Sequence, residues 1–237
     1  MTLQDYDLNL KPKNKKDPAL FRIFKNYTYL GFSIMLSNIL SSLHSLFIAN
    51  GTDLEHKLFD ACQTIKLKKV LIGDIDFNTN QYISNCTIKN ILPTKIILDI
   101  VYISDDTVYV FEMKDGSDFD TEKSKSMVQK TKLCETLFSS YTNKKIVCKI
   151  VCFNLDDIKK ASLKVSKEEC NEYLMTGQDF CDIVNINMDE INTLRSFDNE
   201  ENFKYLLRNL SHFLVDFINS HNDSFTNELK KIFKGIK

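Results

Sequence analysis

The run KIILDIVYISDDTVYVFEMK, Lys95 to Lys114, reads as two strands joined by a tight polar turn. Lys95–Ile103 and Thr107–Lys114 are rich in Ile, Val, Tyr and Phe, and Ser104-Asp105-Asp106-Thr107 supplies the turn chemistry. Three residues in this apolar hairpin resist burial: Asp99, Glu112 and Lys114. A symmetric loop centred between Asp105 and Asp106 sets Asp99 opposite Glu112, with Cβ atoms about 4.5–5.5 Å apart. Lys114, two residues on, points to the same face as Glu112. Strict alternation also puts Ile97, Val101 and Val110 on that face, so the charges stand among apolar neighbours and mark a candidate functional site.

Two carboxylates placed face to face destabilise a sheet unless a cation lies between them. A hard divalent ion such as Mg²⁺ suits one or two carboxylates, with water or phosphate oxygen filling its other positions. The chain holds a Glu-x-Lys triplet three times, at Glu55, Glu112 and Glu228. Only the middle one closes an apolar strand with an acid opposite it. Asp74 and Asp76 form a rival acidic pair in a segment that reads as loop.

Outward from the hairpin, Asp17-Pro18 suits a helix start, followed by an apolar helix to Ala49 that Asn50-Gly51 is expected to end. A further helix through Leu54, Leu58, Ala61, Cys62 and Ile65 follows. Val70–Ile72 reads as a short strand, and Asp74 to Pro93 as a loop or minor hairpin with a turn at Asn78-Thr79-Asn80. After the hairpin, a helix runs from Asp120 or Thr121 to about Tyr141, with Met127, Cys134, Leu137, Phe138 and Tyr141 on its buried side. Lys145–Phe153 is a strand covered on both faces. Helical pieces at Ser166–Met175 and Gln178–Val184 precede an amphipathic helix over Asn202–Asn219. The expected architecture is α/β: a small mixed central sheet with the hairpin at its heart, flanked by helices. We read one domain over residues 1–237, with its core at about 52–155 and helical additions at 17–50 and 156–237.

Composition sets bounds on function. With 43% hydrophobic and 27% charged residues the chain is of soluble globular type, and six glycines and three prolines leave little linker. A net charge of −1 offers no global argument for a nucleic-acid partner, although lysines cluster locally. Seven cysteines without zinc spacing read as reduced, mostly buried thiols in a cytoplasmic setting. Asn38, Ser41, Ser42 and His44 make the most apolar helix too polar for a membrane span. The four histidines lack a companion nucleophile or acid.

Asp99-x(12)-Glu112-x-Lys114 resembles the active site of the PD-(D/E)XK nuclease superfamily, though Leu98 replaces the proline that names the motif. The continuation Gly116-Ser117-Asp118-Phe119-Asp120-Thr121-Glu122-Lys123-Ser124 is similar to the segment after the catalytic lysine in several type II restriction endonucleases. Thr176-Gly177-Gln178-Asp179-Phe180 is fainter in its similarity to restriction-enzyme tails. The resemblance implies that Asp99, Glu112 and Lys114 are catalytic. It also implies that Asp99, Glu112 and the Met113 backbone carbonyl hold Mg²⁺, with Mn²⁺ as a substitute. Glu55 matches the extra acid many such nucleases place near the metal, and is otherwise an ordinary helical glutamate. Lys123, Lys125 and Gln129 are candidate DNA contacts, against the alternative of a solvated helix face.

The implied activity is Mg²⁺-dependent cleavage of double-stranded DNA at a specific sequence, leaving 5′-phosphates. A homodimer is expected for a symmetric site, with a cognate DNA methyltransferase as functional partner. Alternatives are a repair, recombination or viral DNA-processing nuclease of the same fold, or an inactive nuclease-like module that binds DNA or protein.

Overall fold

The computed structural model describes residues 34–88, 96–116, 121–161 and 164–220, together with 27, 29, 30, 227 and 231. The strands are β1 (Ile65–Lys68), β2 (Gln81–Ile88), β3 (Ile96–Ile103), β4 (Thr107–Lys114), β5 (Lys145–Cys152) and β6 (Leu174–Thr176). The helices are α1 (Ile34–Ala61), α2 (Thr121–Phe138), α3 (Lys167–Tyr173), α4 (Gly177–Val184) and α5 (Met188–Ser220). The six strands lie in chain order in one mixed sheet. The pairs β2–β3 and β3–β4 are antiparallel, while β1–β2, β4–β5 and β5–β6 are parallel. The α/β architecture with a hairpin-centred mixed sheet is therefore as expected.

The chain divides into two compact units, residues 51–193 and residues 1–50 with 194–237. The first contains the whole sheet. Its apolar residues sort onto two faces, as strand alternation demands. On one face Tyr82, Ile100, Phe111, Met113, Val151 and Phe153 bury against Leu54, Leu58 and Phe59 of α1 and Phe180 of α4. The Phe111 and Phe180 rings meet edge to face at 4.8 Å, a pairing worth about 0.5–1.5 kcal/mol beyond the area buried. On the other face Val101, Ile103, Val108, Val110 and Cys148 pack on Cys134 and Phe138 of α2. Farther along β5, Ile150 and Cys152 meet Met127 and Val128. In the second unit, Ser37, Ile39, Ser41 and Asn202 are buried.

Local chemistry sets the helix starts. Ser166 and Glu169 form a reciprocal capping box on α3. Thr176 accepts the Asp179 N–H to begin α4, and Asn187 accepts from Asp189 and Glu190 at the start of α5. Asn185 ends α4 in the left-handed conformation that asparagine tolerates.

Several expectations need correction. Helix α1 runs unbroken through Asn50-Gly51, because a glycine costs a helix only about 1 kcal/mol and burial of Leu54 and Leu58 outweighs that. It stops at Ala61, so Ile65 belongs to an edge strand and is exposed. The expected strand at Val70–Ile72 is instead a single bridge from Leu71 to Thr87 running into a 3₁₀ turn. The segment after Asp74, read as a loop or minor hairpin, contains a full strand, β2, whose Asn, Ser and Thr side chains dilute its apolar pattern. The turn within it is correct: Asp76 accepts from Asn78 and Thr79. Tyr141 is exposed beyond the end of α2. The helix at Ser166–Met175 gives way to strand β6 at Leu174. On α5, Phe203 and Leu207 of the expected apolar stripe are exposed. The helix start at Asp17-Pro18 and residues Ser117 to Asp120 lie outside the described residues. All seven cysteines are free thiols, six of them buried. No helix among the described residues is long and apolar enough to cross a membrane.

Gly177 opens α4 against the end of β5. A Cβ there would lie 2.1 Å from the Phe153 carbonyl oxygen, a backbone atom with no easy retreat. Gly177→Ala is expected to destabilise the fold by about 1–3 kcal/mol, whereas Gly73→Ala, which meets nothing within 4 Å, should change little. Urea midpoints of the two variants and the parent check this.

Candidate functional site

The β3–β4 register is the one expected, running from Ile103↔Val108 to Ile100↔Phe111 and stopping one residue short of Asp99. The β2–β3 ladder is also interrupted there: Ser84↔Ile100 and Cys86↔Leu98 pair, while Asn85 between them takes φ 56°. The left-handed region is rare for any residue with a Cβ, and asparagine is among the few that tolerate it. The interruption resets the alternation in both strands. Ile83 and Val101 lie in the α2-side core, but so do Cys86, Ile88 and Leu98, an odd number of residues away. Ile97, expected among the apolar residues beside the charges, is instead 40% exposed, and Leu98 takes its place in the core.

Asp99 occupies the resulting gap. Its Oδ2 accepts the Met113 N–H at 2.8 Å, so the carboxylate turns toward β4 along the sheet. In an extended strand the N–H and C=O of one residue leave on the same side, so the Met113 carbonyl also faces the Asp99 side. On the opposite edge of β4 the Lys114 carbonyl accepts the Phe153 N–H, and Asn154 donates to the Asp115 carbonyl and carboxylate. These bonds tie down the strand end that carries Glu112 and Lys114.

Glu112 and Lys114 project to the α2 face, where Lys114 Nζ donates to Glu112 Oε1 at 2.8 Å. Lys130 of α2 donates to Glu112 Oε2 at 2.5 Å and to the Ile97 carbonyl at 2.8 Å. Sequence reasoning missed Lys130, yet there was a signal for it. It sits three residues after Met127 and four before Cys134, a lysine within a buried helical stripe. Glu55 comes from α1 on the other face, and its carboxyl feels the charges of Asp99, Lys114, Glu112 and Lys130. Asp99, Glu112, Lys114 and Lys130 thus sit around the gap, with Glu55 within electrostatic reach of all four.

Their protonation follows from this crowding. Burial first, then the Asp99 charge, pushes Glu55 up to about 7. Burial and the Glu112 charge push Asp99 up to about 6, against the pull of the Met113 N–H and both lysines. Burial also opposes ionisation of Glu112, but Lys114 and Lys130 outweigh it and hold the carboxyl below its ordinary value. Burial would discharge Lys114, but Glu112 more than compensates, so its amine stays protonated above the ordinary lysine range.

Lys123, Lys125 and Gln129 are exposed on α2. Lys125 and Gln129 line a cleft of about 340 Å³ with Val165 and Ser166. Asp74 and Asp76 are exposed, and Asp76 is engaged in its own turn. The oxygens that could face a cation are those of Asp99, Glu112, Glu55 and the Met113 carbonyl. Among the described residues, no three His, Cys, Asp or Glu side chains form a ready-made metal cage.

No protein-family model matches the chain. Among curated proteins it is similar to the type II restriction enzyme HhaII of Haemophilus parahaemolyticus, with 29% identity over 196 residues. The alignment covers 76% of this chain and 86% of the relative, and it supports a restriction-endonuclease relationship.

The raised Glu55 carboxyl has a consequence for stability. The native state holds a proton there that the unfolded chain releases, so stability falls as pH rises from about 4.5 to about 7. Glu55→Gln removes that loss. Allowing for solvent screening of this partly exposed group, the variant should gain about 1–2 kcal/mol on the parent between pH 4.5 and pH 8. Urea unfolding in metal-free buffer at the two pH values measures the gain, and no change in the difference would refute the assignment.

Proposed function

We propose that the protein is a type II restriction endonuclease that hydrolyses double-stranded DNA at a specific sequence, using Mg²⁺ and leaving 5′-phosphates. The observation that carries the reading is the Lys114–Glu112 ion pair at the interrupted end of the hairpin, flanking the Met113 N–H that binds Asp99. The similarity to a type II restriction enzyme along most of both chains supports it independently.

The donor set fits a hard divalent cation: it is all oxygen, with the carboxylates of Asp99 and Glu112 on adjacent strands and the Met113 carbonyl facing the Asp99 side. Asp99, Glu112 and the Met113 carbonyl would hold the ion, with Glu55 beside them. Bound there, Mg²⁺ supplies polarisation of the phosphate and acidification of water. Mn²⁺ is expected to substitute.

The chain's own groups do the rest. Lys114, kept cationic by Glu112, donates a hydrogen bond to the attacking water or to a non-bridging phosphate oxygen. Its charge offsets the negative charge that grows on phosphorus. Water gives up a proton to solvent as it forms the new P–O bond, the bond from phosphorus to the 3′ oxygen breaks, and the departing oxygen takes a proton from solvent. The phosphate remains on the 5′ end. Lys123, Lys125 and Gln129 lie on the exposed side of α2 and are the proposed backbone contacts. Two such sites are needed for two strands, so the enzyme is proposed to act as a homodimer on a symmetric duplex. A methyltransferase of the same specificity would protect host DNA in the cytoplasm.

The test is digestion of long duplex DNA. Discrete fragments are expected with Mg²⁺ and none with EDTA, and Lys114→Ala or Asp99→Asn should lower the cleavage rate by about 10²–10³-fold or more. Parental cleavage by a folded Lys114→Ala would overturn the mechanism. A continuous smear would overturn sequence specificity.

A further inference from the structure

Both Glu112 carboxylate oxygens are already taken by lysines, and only one of those lysines belongs to the same strand end. Lys130 reaches in from α2 and spans the gap, with its ammonium held between Glu112 Oε2 and the Ile97 carbonyl. That carbonyl lies just before the Asp99 break, opposite Thr87. One carboxylate oxygen and one backbone carbonyl are the kind of ligands a hard cation takes. We propose that Lys130 is a resident counter-ion of the metal-free site, which a divalent cation must displace from Glu112 in order to bind. The inference rests on the metal reading given above.

The physical argument is a competition for one carboxylate. The Glu112 carboxylate, only 17% exposed, needs positive charge beside it. Lys114 and Lys130 provide it by ion pairs of 2.8 and 2.5 Å. A cation arriving at Asp99 and Glu112 must break one of these pairs and works against the repulsion of the displaced ammonium. Lys114 sits two residues from Glu112 on a strand tied at both edges. Lys130 sits on a separate element at the end of a long flexible side chain and can leave without disturbing β4. Its departure would uncover Oε2 and send a positive charge toward solvent, where a phosphate would arrive. The apo site is thereby kept from paying the full cost of three clustered acids, and it binds metal less tightly than its carboxylates alone would allow.

The experiment measures Mn²⁺ binding to the full chain without DNA, through loss of the free-ion paramagnetic resonance signal. Lys130→Gln removes the charge and keeps a hydrogen-bond donor for Ile97, and should bind Mn²⁺ at least about fivefold more tightly than the parent. Lys130→Met should do the same, which guards against failure of one variant to fold; cooperative thermal unfolding verifies each. Lys132→Gln removes a charge from the same helix, where it pairs with Glu169 rather than Glu112, and should stay within about twofold of the parent. Affinity in both Lys130 variants no tighter than in Lys132→Gln overturns the displacement and leaves the metal site standing. Absence of Mn²⁺ uptake by parent and variants alike, or uptake undiminished in Asp99→Asn, overturns the metal reading and this inference with it.

Discussion

The break in pairing at Asp99 is the constraint on which the site depends. An uninterrupted ladder would have placed Asp99 flat against Glu112, with the Met113 N–H satisfied by a strand carbonyl. Instead Asn85 turns left-handed on one side, and on the other the Asp99 carboxylate takes the Met113 N–H. No backbone donor is lost at that point, since the side chain replaces the missing carbonyl. The sheet opens beside Asp99 and Glu112, within electrostatic reach of Glu55 on α1, and the strand ends around the opening stay fixed by Phe153 and Asn154.

Charge is the second consequence. Glu55, Asp99 and Glu112 would each be an ordinary surface carboxylate if spread apart. Burial first, and their mutual charge second, raises two of them toward neutrality, while the third is held ionised by Lys114 and Lys130. Such a cluster costs stability, and charges held this way mark a candidate functional site. The surrounding core of Ile, Val, Phe and Cys residues is what tolerates that cost.

Much of this was legible along the chain. Dense β-branched and aromatic residues marked β3, β4 and β5, and the turn at Asp105-Asp106 set the β3–β4 register correctly. The misreadings have physical causes. Strand β2 hid behind Asn85, Ser84 and Thr87, polar residues in an otherwise buried strand. The Asn50-Gly51 pair carries a strong local stop signal, but burial of Leu54 and Leu58 overrides local preference. The assumption of unbroken alternation misplaced Ile97, because one left-handed residue on the neighbouring strand shifts the phase of everything beyond it.

By itself, then, the amino-acid order determined the hairpin, its register and the identity of its charged residues, because turn chemistry and period-two patterning act over a few residues. Only the folded chain decided where those charges point and what joins them. Lys130 lies eighteen residues from Glu112 and Glu55 lies on a helix across the sheet. Such partners are chosen by helix packing and by the gap between strands, and both arise from contacts between segments far apart in the chain.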